Sequence, residues 1–174
     1  MSVTQGRTAT RLASWAAALA VASALAVGTP VPVAAAASNI EFDLPAGLAC
    51  EFHLLVVGTG DKRIMREFTD QNGNVVRLLS AGKGFTLTFT NVDTDESLTL
   101  QSNGSVERTT VNSDGTRTVV STGHNVLILF PTDIPAGPST TLYVGRIVYT
   151  VDASGVFTLQ STSGRTTDLC ALLA

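Results

Sequence analysis

Asp93, Asp95 and Glu96 stand within four residues of one another in "TNVDTDESLTL" (90–100), in a chain where only 14% of residues are charged. Calcium takes roughly six to eight oxygen ligands, and a D-x-D-E run offers three carboxylates from one loop. An EF-hand type of site also needs a longer acidic ladder, a central glycine and a distant glutamate, and none of these follows here. Asp and Asn are equally the residues of turns, where their side chains hydrogen-bond the local backbone. The expectation is a solvated turn between two strands. Metal binding there requires backbone carbonyls or a second acidic loop to complete the shell, so no cofactor is implied.

The chain has two histidines, His53 in "CEFHLLVV" and His124 in "STGHNVL". His53 is in phase with Leu55 and Val57 and reads as a hydrogen-bonded structural histidine, since buried polar groups are normally satisfied. His124 reads as part of a turn leading into a buried strand. Zinc sites place ligands close in sequence or supply a third ligand nearby, and neither histidine has one. A hydrolase would have to assemble His53 or His124 with Asp93, Asp95 or Asp133. Such sets are geometric and need no motif, but no G-x-S-x-G elbow is present. No catalytic residue is assigned.

"GTGDKR" (58–63) opens like a phosphate loop and "AGKG" (81–84) contains part of one. A phosphate loop requires a following helix; strand-like residues follow the first, so it reads as a tight hairpin, and the second as a turn. A basic strip, Lys62, Arg63 and Arg66 in "DKRIMREF", continues to Arg77 and Lys83. Charge on an exposed strand guards an edge against pairing. The alternative is a face for an anionic partner, with Lys62, Arg63 and Arg66 as the possible binding face. Asn103-Gly104-Ser105 matches a glycosylation sequon.

The elements that must position these residues are strands. "GFTLTFT" places Phe85, Leu87 and Phe89 on one side and Thr86, Thr88 and Thr90 on the other, the two-residue period of a half-buried strand. "SLTLQS", "SVERTTV", "TRTVVST" and "GVFTLQS" repeat it. "QNGN", "SNGS", "SDGT" and "ASGV" carry the residues of tight hairpins. "FHLLVV" (52–57), "NVLILF" (125–130) and "LYVGRIVYTV" (142–151) are apolar enough for central strands. "PTDIPAGPST" (131–140), with three prolines, cannot pair as an internal strand and reads as a crossing from one sheet edge to another. The fold class expected is all-β: a single antiparallel β-sandwich or flattened barrel of roughly nine to ten strands, mostly hairpin-connected.

Residues 1–37 read as a secretory signal peptide. Arg7 and Arg11 precede the apolar stretch 12–27, a helix-breaking "GTPVP" and the small residues of an A-x-A cleavage site at Ala36 or Ala37. The apolar stretch falls short of the about 20 residues of a membrane span. Residues 38–174 then form one all-β domain. It keeps nine of the eleven basic residues and all fourteen acidic ones, a net charge of −5. That balance argues against nucleic acid and membrane partners. The two cysteines, Cys50 and Cys170, are isolated, and in an exported chain such a pair is a disulfide. It would bring the first and last strands together, with Cα atoms roughly 5–6 Å apart. The chain-entropy model assigns so long a loop close to 5 kcal/mol as an upper figure.

From "NVLILFPTDIPAGPSTTLYVGRIVYTVD" to "TTDLCALLA", and back through "FTLTFTNVDTDESLTLQSNGS", the chain resembles small secreted proteins common in actinobacteria. The resemblance implies an extracellular compartment and an all-β fold, and no activity. "TLTFTNVDTDESLTL" is also similar to the strand–turn–strand of bacterial immunoglobulin-like domains. The functional expectation is a non-catalytic binding module with an extracellular or cell-envelope partner. The alternatives are a secreted hydrolase with a His/Asp site, and an apolar-ligand carrier if the sheet closes around a cavity. A tryptophan platform for sugars is excluded after residue 37; Tyr143 and Tyr149 could share a face.

Overall fold

Threonine and apolar residues alternate along the strands, and burial divides them as the alternation requires. In the computed structural model, which describes residues 39–174, Phe89 is 1% exposed at the centre of "TLTFTN". On the opposite side of that strand, the hydroxyls of Thr88 and Thr99 meet at 3.0 Å. Burial of a side chain as large as Phe89 is worth about 1.5–3 kcal/mol. The signal peptide and its cleavage site at Ala36 or Ala37 lie outside the described residues.

Ten strands form: β1 (Asn39–Leu44), β2 (Leu54–Thr59), β3 (Lys62–Thr69), β4 (Val75–Lys83), β5 (Thr86–Asn91), β6 (Ser97–Leu100), β7 (Ser105–Val111), β8 (Arg117–Leu129), β9 (Ser139–Val151) and β10 (Phe157–Asp168). A single turn of helix, α1 (Leu169–Leu173), follows. A small sheet has the order β1-β2-β5-β6 and a large one β10-β9-β8-β7-β4-β3. Every strand pair is antiparallel. The fold is all-β with two open sheets and no closed barrel. Among the described residues no helix is long and apolar enough to cross a membrane.

Three hairpins are built to one recipe. In "DQNGN", "NSDGT" and "DASGV" the glycines Gly73, Gly115 and Gly155 donate to the carbonyls of Asp70, Asn112 and Asp152 at 3.0–3.2 Å. All three glycines have φ between 83° and 87°, the left-handed residue that ends a three-residue hairpin loop.

"SNGS" and "GTGDKR" are not hairpins. The first carries the chain from β6 in the small sheet to β7 in the large one, and the second from β2 to β3. β3 is exposed along its whole length and has no apolar face to add to the small sheet. The β3–β4 hairpin is therefore inserted between β2 and β5, so the first strands do not form a simple meander. "PTDIPAGPST" does not cross between sheet edges either. It joins β8 to its neighbour β9, and its prolines shape a loop that turns back over the sheet. "STGHNVL" contains no turn: β8 runs through it unbroken for 13 residues.

The large sheet folds over on itself. Register aligns Gly82, Ser105, Gly123, Gly145 and Gly164 on five adjacent strands. The four glycines of this row have φ from 101° to 150°. A Cβ at Gly123 would lie 2.6 Å from the Gly104 carbonyl oxygen, and one at Gly145 would collide with that of Ser163. Neighbouring backbones approach so closely because four of the five residues in the row lack side chains. A straight 13-residue strand spans about 40 Å, yet the two ends of the β8–β9 ladder meet. Ile134, beyond the end of β8, donates to the Phe157 carbonyl at 2.8 Å and accepts from Leu159 at 2.7 Å. Phe157 pairs with Val151, at the far end of β9.

Each side of the creased sheet has its own apolar cluster. Val126, Ile128 and Leu142 pack against Leu54, Val56 and Phe89 of the small sheet, joined by Leu169 and Leu173 of α1. Inside the crease, Leu127, Leu129, Tyr143 and Ile147 pack with Tyr149, Phe157 and Leu159. Cys50 and Cys170 form the expected disulfide, with Cα atoms 5.5 Å apart. They lie in the β1–β2 connection and in α1 rather than on the first and last strands. The bond holds the terminal helix over the core, and a disulfide of this kind belongs to an oxidising compartment.

Candidate functional site

Three passages between the sheets gather at one end of the molecule. The β2–β3, β4–β5 and β6–β7 connections all leave the same end of the small sheet, where Thr59 pairs with Thr86 and Leu87 with Leu100. They enter the large sheet beside the glycine row, where Lys62 pairs with Lys83 and Gly82 with Ser105. At that end a cleft of about 320 Å3 lies between the two sheets. Phe85, Leu87 and Leu100 form one wall. The other wall is the inside of the crease, where Glu107, Ser121 and Ile147 lie side by side in one cross-strand row.

The wall is polar where a sandwich core is ordinarily apolar. Burial raises the Glu107 carboxyl above its ordinary range, and the positive charge of Arg63 opposes that shift. Arg63 is itself fixed by Asp61, whose carboxylate accepts from Nη2 at 2.7 Å and from Nε at 3.0 Å. Its guanidinium lies 5.5 Å from the centre of the Phe85 ring, within cation–π range. Burial and the charge of Glu107 both push the Tyr149 hydroxyl up. The ring of Tyr149 stacks on Phe157 at 5.4 Å, so its position is set by the inner cluster.

Asn125 supplies the most specific polar group. Its Oδ1 accepts from Ser121 Oγ at 2.8 Å, while its Nδ2 is buried with no hydrogen-bond partner. Amide orientation is assigned from such contacts. With the amide turned over, Ser121 would satisfy the nitrogen and leave the oxygen bare. One end of the amide lacks a protein partner either way, and an unmatched buried polar group costs about 1–3 kcal/mol.

The expected site residues are distributed differently. Asp93, Asp95 and Glu96 occupy the β5–β6 turn and are exposed. Asn91 organises that turn, its side-chain oxygen accepting from the Asp93 N–H at 3.0 Å and its backbone oxygen from the Asp95 N–H at 2.9 Å. Among the described residues no three His, Cys, Asp or Glu side chains converge as a metal site. His53 stands outside the small sheet with its ring against the Asp43 carboxylate, and Asp93 meets only its backbone N–H, at 3.4 Å. His124 is exposed at the cleft. Among the described residues neither histidine ring hydrogen-bonds to Asp93, Asp95 or Asp133. Asp133 is 4% exposed and occupied by the backbone N–H groups of Phe130 and Phe157. The basic strip is divided: Lys62 and Arg66 share one face of β3, and Arg63 turns to the cleft.

Glu107, Ser121, Asn125 and Tyr149 were not singled out from sequence as a site. Glu107 in "SVERTTV" and Ser121 in "TRTVVST" stand among other polar residues and carry no local signal; only the strand register brings them together. The chain matches no family model, no curated protein and no solved structure.

Proposed function

We propose that the chain is an exported, non-catalytic binding module, and that the cleft between its sheets holds a small polar ligand. The observation that carries this reading is the unpartnered Asn125 amide beside the desolvated Glu107 carboxyl. Buried polar groups retained at a cost to stability are characteristic of sites whose partners arrive with a ligand. A ligand accepting from Asn125 and donating to Glu107 through a hydroxyl or ammonium group would satisfy both. Cleft size supports a molecule of monosaccharide or amino-acid dimensions. The polar wall argues against an apolar cargo, and His124, the histidine at the cleft, has no hydrogen-bonded carboxylate to act as a base. Export is supported by residues 1–37 and by the disulfide, and a place among small secreted actinobacterial proteins by the residues quoted above.

Titration of 15N-labelled protein with free monosaccharides, amino sugars and amino acids tests the reading. The expected result is saturable shifts at the Glu107, Ser121 and Asn125 amides, abolished in Asn125→Leu. Shifts that map elsewhere, or that survive the substitution, or a panel that leaves these amides unmoved, would overturn it.

A further inference from the structure

The outer side of the crease carries a different chemistry. Register places Arg66, Leu79, Arg108, Val120 and Val148 in one cross-strand row. The next row towards the glycines holds Ile64, Ala81, Val106, Thr122 and Arg146, and the next away from them holds Phe68, Arg77, Thr110, Thr118 and Thr150. These fifteen positions include four arginines and no acid, in a chain of net charge −3. The acids of the same strands, Glu67 and Glu107, alternate to the other side. Among the described residues the ion pairs are His53–Asp43 and Arg63–Asp61, so none of these four arginines is neutralised. Arg66, Arg77, Arg108 and Arg146 are exposed, and Ile64, Phe68 and Val106 are exposed beside them.

The glycine row leaves a shallow groove on this side, across the strands. Gly82, Gly104 and Gly123 form its floor, with Val106 and Thr122 along one bank and Lys83 at its end. Adjacent strands lie about 4.8 Å apart. Arg66 on β3, Arg108 on β7 and Arg146 on β9 therefore succeed one another every roughly 10 Å across the sheet, the last displaced by one row.

We propose that this outer face binds a linear acidic polysaccharide laid across the strands, with sugar rings over the groove and its apolar bank, and carboxylates reaching Arg66, Arg108 and Arg146. This inference is independent of the ligand in the cleft. A groove floored by backbone admits one thin chain, whereas a duplex or a membrane would touch only the crest of a bent sheet. Phe68 is the one aromatic in the three rows, too few for the base stacking that retains single-stranded nucleic acid. Arginine matches a carboxylate with two parallel hydrogen bonds.

Binding of the oxidised protein to a decameric oligogalacturonate, measured by calorimetry at low salt, tests the proposal, with a neutral maltodextrin of equal length as control. Binding to the uronate alone is expected, weakening as salt rises. Arg66→Gln with Arg108→Gln should weaken it at least about tenfold, while Arg117→Glu, the same change of two charges on the inner side of the sheet, should leave it within about twofold. Absence of binding, equal loss in the double variant and in Arg117→Glu, or equal binding of the maltodextrin would overturn it. So would tighter binding to phosphatidylglycerol vesicles or to duplex DNA, which would assign the face to a membrane or to nucleic acid.

Discussion

Asp133, in the loop after β8, accepts a hydrogen bond at 2.8 Å from the backbone N–H of Phe157, 24 residues away at the start of β10. Its second oxygen accepts from Phe130 N–H at 2.6 Å. One buried carboxylate thus ties the tip of the β8–β9 hairpin to the opposite end of the folded sheet. The Ile134 hydrogen bonds to Phe157 and Leu159 extend the same closure.

Asp133→Ala leaves both N–H groups without their acceptor and is expected to cost about 3 kcal/mol, with Asp133→Asn, which keeps one acceptor oxygen, costing about half. Urea denaturation measures both. Hydrogen exchange should quicken at Phe157 and Leu159 before it does at Phe89 in the other cluster. A loss below about 1 kcal/mol in the alanine variant would mean that inner packing alone holds the closure.

The crease makes a sharper claim on single residues. Gly145 and Gly155 both have positive φ, 150° and 87°, but a Cβ at Gly155 meets open space and one at Gly145 meets the backbone of β10. Gly155→Ala should therefore cost only the conformational penalty, about 1–2 kcal/mol. Gly145→Ala must also separate two paired strands and should cost at least about 3 kcal/mol. Equal costs in denaturant titrations would show that the row bends without needing close backbone contact.

Much of this fold is legible in the residues because its signals are local. "FTLTFT" divides its faces by alternation, and Gly73, Gly115 and Gly155 sit at hairpin positions that a few neighbouring residues define. The crease is a different matter. Gly82, Gly123, Gly145 and Gly164 are widely separated in sequence, and each alone resembles a turn or a bulge; only pairing across five strands puts them in a line. The site was hidden for the same reason. Asp93, Asp95 and Glu96 attract notice by crowding in sequence, while Glu107, Ser121 and Asn125 converge through register. Cys50 and Cys170 were readable as a bond because pairing two isolated cysteines requires no register.

Glu107 gives the protein a pH dependence whose sign follows from its place in the cleft wall. Burial raises its folded-state pKa above the ordinary value of 4.5, against the opposing charge of Arg63. The native state therefore keeps a proton over a range in which the unfolded chain has released it. Stability falls as pH rises from the unfolded pKa through the folded one, and is level above that. Glu107→Gln is neutral throughout and escapes the loss. At pH 7 it should melt above the parent, and the gap should close as pH falls below about 4, where Glu107 is protonated in both states. Arg63→Gln removes the opposing charge and should melt further below Glu107→Gln at pH 7 than the parent does. Calorimetric melts of the three proteins from acid to neutral pH decide it. A Glu107→Gln protein that melts below its parent at pH 7 would show that the carboxylate gains more from Arg63 than it loses by leaving water.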